Sequence, residues 1–228
     1  MYNSAFLIRD GRVMPTWYDK IQLTPFGEVM PYISRSSWLE QQLLAFGASG
    51  MEFVLDPGSG PRNIAVPLHD GGEGESIALA TPICFEATIS SVCRQLVARD
   101  GKRTAGVMVN MTNDGWFGAS DAGRAAHLQN ARWRCIELAT PMVRCANTGI
   151  SALIDHRGAV VSTDITPLGD NPSEGYLIGQ VQPGVGLTAF ARIGDLFGWL
   201  AMILSLIWGV AAIFSSPRVV RPMNDSAS

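Results

Sequence analysis

Thr81-Pro82-Ile83-Cys84-Phe85-Glu86 follows a short apolar run, Ile77-Ala78-Leu79-Ala80, and precedes a stretch, 89–99, with helical patterning. The run reads as a strand, so Cys84 falls at a strand-to-helix corner. A thiol at such a corner is exposed and close to the positive end of a helix, which favours the reactive thiolate. The other reading is an inert core residue, because free cysteine is among the most buried residue types. The hexapeptide alone leaves both open.

Working outward, Ala105-Gly106-Val107-Met108-Val109 reads as a buried strand and 113–118 as the loop at its end. Loops in that position are where α/β proteins build sites, and Trp116 is placed to wall a pocket. Across 122–138, small or apolar residues recur at Ala125, Leu128, Ala131, Cys135 and Leu138, the strip of a packing helix, with Arg124, Arg132, Arg134 and Glu137 on other faces. Strands are expected at 142–146, 151–154, 159–162 and 176–181, with turns at Asn147-Thr148-Gly149 and Asp155-His156-Arg157-Gly158. Upstream, 5–8 and 13–14 form a hairpin about Asp10-Gly11, and Pro25 and Gly27 keep the segment carrying Lys20 and Glu28 a loop. The stretch 38–46 has helical spacing, either a packing helix or an apolar arm able to touch lipid, and 58–75 reads as loops around a strand at 63–66. Mixed strands and helices imply a layered α/β core. No basic, hydrophobic, cleavable leader opens the sequence, so no secretory signal peptide is expected.

Four segments in order, Tyr18-Asp19-Lys20, Pro25-Phe26-Gly27-Glu28, Ile83-Cys84-Phe85-Glu86 and Asn113-Asp114-Gly115-Trp116-Phe117-Gly118, resemble the carbon-nitrogen hydrolase (nitrilase) superfamily. Within it they look most like the catalytic domain of the bacterial apolipoprotein N-acyltransferases, a likeness that runs over nearly the whole chain. The resemblance implies an α/β fold, the nitrilase-like αββα sandwich, here N-terminally incomplete and followed by one transmembrane helix. It implies Cys84 as nucleophile, Lys20 as catalytic lysine, Glu28 and Glu86 as supporting carboxylates, and Phe85, Asn113 and Trp116 as pocket residues. Lys20, Cys84 and Glu86 are then expected to converge on one cavity bordered by Glu28 and Trp116. The implied reaction takes an acyl chain from a phospholipid and passes it to the N-terminal amine of a lipoprotein, without cofactor. One departure stands out: the family's base is a Glu upstream of the lysine, and only Asp10 and Asp19 precede Lys20, neither in a matching motif. The chain therefore reads as the C-terminal part of a longer protein, inactive by itself. A nitrilase-type amidase for a small carbon-nitrogen substrate, and a non-catalytic membrane-anchored remnant, are the alternatives.

Composition adds limits. With 47% hydrophobic and 16% charged residues over 228 positions, the chain is apolar for a soluble protein. A net charge of −3 in mixed signs offers no basic stripe for nucleic acid. Cys84, Cys93, Cys135 and Cys145 form no Cys-x-x-Cys pair and no cluster with His69, His127 and His156, so no metal site is expected; the last three cysteines read as reduced and mostly core. A Cys and His pair of the papain kind is allowed by spacing but has no motif behind it. Residues 196–214 lack any charge over about 19 residues, roughly 29 Å as a helix, enough for a bilayer core. Arg218 and Arg221 after this run, against Arg192 before it, favour a cytoplasmic tail. The expected organisation is a catalytic domain at 1–186 on the periplasmic side of the bacterial inner membrane, a linker at 187–195, a membrane helix at 196–214 and a polar tail at 215–228.

Overall fold

The structure, a computed structural model, describes residues 1–25, 27–29, 55–68, 75–168 and 171–215. The helix expected at 38–46, His69 and nearly all of the tail lie outside them. Two compact units are present, Met1–Arg192 and Ile193–Ser228.

The first unit opens with a hairpin, β1 (Ser4–Arg9) and β2 (Arg12–Asp19), turning on Asp10 and Gly11, both at positive φ. Its principal sheet then takes β3 (Ile64–Pro67), β4 (Ser76–Ala80), β7 (Val107–Thr112), β8 (Met142–Ala146), β9 (Ala152–Ile154) and β10 (Val160–Ser162). Across the sheet the order is β10-β9-β8-β7-β4-β3, with β4, β7 and β8 parallel and the flanking pairs antiparallel. Parallel neighbours require crossovers, and the two here carry α1 (Ser90–Val97) and α2 (Asp121–Leu138). Among the described residues two small hairpins complete the strands, β5 (Ala98–Arg99) with β6 (Lys102–Arg103), and β11 (Thr166–Leu168) with β12 (Asn171–Tyr176).

Crossover topology decides where a site can form. The loops leaving β4, β7 and β8 all emerge at the carboxyl ends of parallel strands, where open α/β sheets bind ligands. Cys84, Asn113 and Asn147 follow those three ends. Beneath them the core is continuous, joining Ile64, Ala80 and Met108 of the sheet with Leu96 and Val97 of α1 and Ala131, Cys135 and Leu138 of α2. Arg103 secures the far end of α2, donating to the carbonyls of Leu138 and Ala139 and to Thr140 Oγ1. Those carbonyls have no partner within the helix, so a cation there satisfies them and complements the helix dipole.

Several expected elements shift. The first helix ends at Val97, because Asp100 and Gly101 adopt positive φ and turn the chain into the β5–β6 hairpin. The strand expected at 176–181 instead occupies Asn171–Tyr176, and Ile178 is 82% exposed, so its β-branched side chain signalled burial that does not occur. Arg134, expected on a face other than the packing strip, is also buried and donates to the Thr88 carbonyl. Cys93 and Cys135 are buried, whereas Cys145 is exposed. Residues 187–192, expected as linker, belong to the first unit: the Thr188 hydroxyl donates to the Glu137 carbonyl, and Arg94 donates to the carbonyl of the buried Ala191 in α3 (Ala189–Ile193).

The second unit contains α4 (Leu196–Ser215). Leu196–Phe214 is long and apolar enough to cross a membrane, with a mean hydropathy of 2.2 and none of it buried. Among the described residues it is the one such helix.

Candidate active site

Cys84 starts a 3-10 turn, Cys84–Thr88, with φ +50°. Side chains other than glycine seldom adopt that left-handed region, and holding one there costs about 1–3 kcal/mol, which the surroundings must supply. The α-helix begins only at Ser90, so between the strand and the helix the thiol starts a separate turn. Its Sγ lies 4.0 Å from the Asn113 carbonyl.

Glu86 fixes the turn from one side. Its Oε1 accepts from the Tyr18 hydroxyl at 2.8 Å and from the backbone N–H groups of Ile21 at 2.8 Å and Gln22 at 3.0 Å, while Oε2 accepts from Ile83 N–H at 2.8 Å. Burial pushes its pKa up, against those hydrogen bonds, which favour the charged form. Fully buried, Glu86 lines neither cavity described below, contrary to the expectation that it faces the site; it ties the Cys84 turn to the segment that carries Lys20.

Lys20 follows β2 and is 1% exposed. Its ammonium donates to Glu28 Oε2 at 2.5 Å and to Thr24 Oγ1 at 3.1 Å. Glu28 also accepts from Thr24 N–H and from Asn3 Nδ2. Burial acts to raise the pKa of Glu28, but these donors and the lysine charge outweigh it, and the group titrates below the usual carboxylate range. Gly58 permits the close approach that seats Lys20: its N–H donates to the Lys20 carbonyl at 2.8 Å, and a Cβ there would lie 2.4 Å from the Asp19 carbonyl oxygen.

Two cavities meet at the thiol. The larger, about 580 Å³ and mostly apolar, is lined by Cys84, Phe85, Trp116, Phe117, Ala126 and His127 among others. The smaller, about 440 Å³, carries Glu28, Asn3, Thr112 and Asn147. Thr24, Cys84, Asn113 and Trp116 line both. Thus Cys84, Glu28, Phe85, Asn113 and Trp116 surround this paired space, whereas Lys20, expected on the cavity with Cys84 and Glu86, lines neither part and is bonded to the Glu28 wall, and Glu86 is sealed behind. Among the described residues Glu28 is the one carboxylate lining either cavity.

A second charged cluster, which the sequence reading did not assign, lies under the turn. Arg144 donates from Nη1 to Asn110 Oδ1 at 2.6 Å and from Nη2 to Asp114 Oδ2 at 2.8 Å, with both ionic side chains fully buried. Asp114 Oδ1 accepts from Thr112 Oγ1 and meets His127 Nδ1 at 2.8 Å. Burial opposes the charge on Asp114, yet Arg144 first and then His127 and Thr112 hold its pKa below the ordinary value. Nδ1 of His127 also lies 3.2 Å from Arg144 Nη2, so it sits between the acceptor Asp114 and a donor. Burial and the neighbouring Arg144 lower the His127 pKa against the pull of Asp114. The other ring nitrogen, Nε2, is buried without a hydrogen-bond partner, and Phe117 packs edge-on to the ring at 5.6 Å between centroids. Among the described residues no cluster of His, Cys, Asp or Glu is arranged to hold a metal ion.

The carbon-nitrogen hydrolase family model matches residues 1–189. The chain belongs to the carbon-nitrogen hydrolase family. It is similar to the apolipoprotein N-acyltransferase of Bradyrhizobium diazoefficiens, 37% identical over 92% of this chain and 35% of that protein. The apolipoprotein N-acyltransferase of Rhodopseudomonas palustris is 36% identical over 86% of this chain and 32% of its own length. The chain thus spans about a third of the curated relatives it matches. Among solved structures, a carbon-nitrogen hydrolase from Helicobacter pylori G27 has a TM-score of 0.48 and 13% identity, over 70% of this chain and 51% of that one.

Proposed function

We propose that this chain carries the nucleophile half of an N-acyltransferase that moves an acyl chain from a phospholipid to the N-terminal amine of a lipoprotein. The observation that carries the reading is the placement of Cys84, with a largely apolar cavity on one side and the Lys20–Glu28 pair on the other. An acyl chain suits the first surface; a developing oxyanion suits a buried ammonium close by. The Cys84 thiolate attacks the ester carbonyl, the C–S bond forms, and the ester C–O bond breaks as the lysophospholipid oxygen leaves with the proton that the base had drawn from the thiol. The acceptor amine then attacks the thioester, giving up a proton to the same base; the N–C bond forms and the C–S bond breaks, returning the thiolate. Lys20 stabilises the oxyanion in both steps, and Glu28 holds the lysine in place. The helix Leu196–Phe214 serves as an inner-membrane anchor, with the catalytic unit periplasmic and the tail cytoplasmic.

Both steps need a base, and general-base help is worth about 10²–10⁴-fold. Glu28 is already committed to Lys20, so we propose that the chain as given does not turn over and that a carboxylate supplied by additional upstream sequence completes the site. The test is to incubate the chain with labelled phospholipid and to trap the acyl-enzyme, with and without sequence restored from a full-length relative. Label is expected on Cys84, absent in Cys84→Ala and retained in Cys93→Ala, with lipoprotein acylation only in the extended form. Label that persists without Cys84 refutes the nucleophile; full turnover by the short chain refutes the missing base.

A further inference from the structure

The strained Cys84 turn has to be held from below, and the cluster centred on Arg144 is built to do it. Asn110 and Arg144 are register partners on β7 and β8. Arg144 Nη1 engages Asn110 Oδ1, which leaves the amide Nδ2 pointing the other way, where it donates to the Pro82 carbonyl at 2.8 Å and the Cys84 carbonyl at 3.4 Å. Arg144 Nη2 holds Asp114, which holds His127 in the wall of the larger cavity, and Arg144 Nε donates to the Ile150 carbonyl. One guanidinium therefore fixes both the backbone of the cysteine turn and the wall that the thiol faces.

We propose that Arg144 is a positioning residue for Cys84, acting through Asn110 on the turn and through Asp114 and His127 on the cavity wall. The proposal rests on Cys84 being the nucleophile. A lysine has a single ammonium and cannot reproduce the divergent fork, although it keeps a positive charge beside Asp114. Asn110→Asp is the complementary change: it preserves an acceptor for Arg144 but turns an oxygen towards the two carbonyls.

The test uses the whole chain and two reagents read at individual cysteines by mass spectrometry. Acylation of Cys84 by p-nitrophenyl hexanoate requires the thiol to be aimed at a carbonyl in the cavity, whereas alkylation by iodoacetamide requires only access. Exposed Cys145 serves as reference, and buried Cys93 and Cys135 report loss of the fold. In Arg144→Lys and in Asn110→Asp, acylation is expected to fall by about 10²-fold, the scale of a misplacement near 1 Å, with alkylation of Cys84 unchanged and Cys93 and Cys135 still protected. Equal acylation of wild type and of either folded variant overturns the positioning role alone. A fall in acylation matched by a change in alkylation, or accompanied by labelling of Cys93 and Cys135, makes Arg144 merely structural and also overturns it. Absence of acyl label on wild-type Cys84, both in the chain as given and in the form extended with upstream sequence, refutes the nucleophile and the positioning role with it.

Discussion

Two buried ion pairs flank Cys84, and they differ in what they face. Lys20 and Glu28 form a pair whose carboxylate lines a cavity, with the Glu28 side chain 15% exposed. Arg144 and Asp114 form a pair sealed on every side, each side chain 0% exposed. A pair open to a cavity can exchange its partner for a substrate oxygen. The sealed pair cannot, because separating its members leaves a buried charge with no solvation. The first is therefore suited to chemistry and the second to geometry.

Removing one member of each pair should separate these roles most sharply. Asp114→Ala leaves Arg144 buried and uncompensated and is expected to cost about 3–5 kcal/mol of stability, seen as a large fall in the denaturation midpoint. Lys20→Met, by contrast, leaves Glu28 next to a cavity that water can enter, and is expected to cost about 1–3 kcal/mol. Its larger effect is on Cys84 acylation, down by about 10²–10³-fold, the usual loss when an oxyanion donor is removed. A Lys20→Met chain as unstable as Asp114→Ala would erase the distinction.

The open pair was legible in the sequence and the sealed one was not. Lys20, Glu28, Cys84, Asn113 and Trp116 each sit in one of four short motifs whose order resembles a known family, although the cysteine motif by itself left its role open. Asn110, Asp114, His127 and Arg144 are brought together from two strands, a loop and a helix. In the sequence Asp114 stands inside the motif 113–118 and Arg144 inside the strand expected at 142–146, with nothing that links the two. A usable signal was nevertheless present. Strand alternation puts Met142 and Arg144 on one face and Val143 and Cys145 on the other. A buried Met142 therefore implies a buried Arg144, which must find a carboxylate, and an outward Cys145, as observed. The sheet's crossovers were likewise readable from a strand, a corner and a helix repeated twice. The pairing of β11 with β12 was not, since it depends on the close approach of Gly175 to Thr166, where a Cβ would meet the carbonyl oxygen at 2.3 Å.

Smaller changes can probe each wall without deleting a charge. Gly149 lies against Asp114, and a Cβ there would come within 1.9 Å of Asp114 Oδ2. Gly149→Ala should therefore displace the carboxylate from Arg144, at about 1–3 kcal/mol for forced overpacking, and lower Cys84 acylation while leaving Lys20 and Glu28 bonded. Glu86→Gln tests the other side of the turn. Its amide can satisfy the three donors at Oε1 only by setting an NH2 against Ile83 N–H, so a loss of about 1–3 kcal/mol is expected in chemical denaturation. An unchanged midpoint would mean that Glu86 is already protonated and donating in the folded protein.

The smallest expected effect is a difference in pH dependence, and it compares the titratable group nearest each part of the turn. His127 has a folded pKa below its ordinary 6.5. As pH falls through that value the unfolded chain takes up a proton that the folded chain refuses, so the unfolded state gains and stability declines until the folded pKa is passed. Glu86 has a folded pKa above its ordinary 4.5. As pH falls towards that value the folded chain binds the proton first, so over its window stability rises. The two slopes oppose each other where the window opening below pH 6.5 overlaps the one closing at pH 4.5, and there partly cancel in the wild type, whereas Glu28 and Asp114, both lowered, withdraw stability only at more acidic pH. Stability measured by denaturant at a series of pH values should separate them: His127→Gln leaves a curve that improves on acidification across this interval, and Glu86→Gln leaves one that worsens. If His127→Gln changes only the height of the curve and not its slope across this interval, burial beside Arg144 does not lower the imidazole pKa in the folded protein.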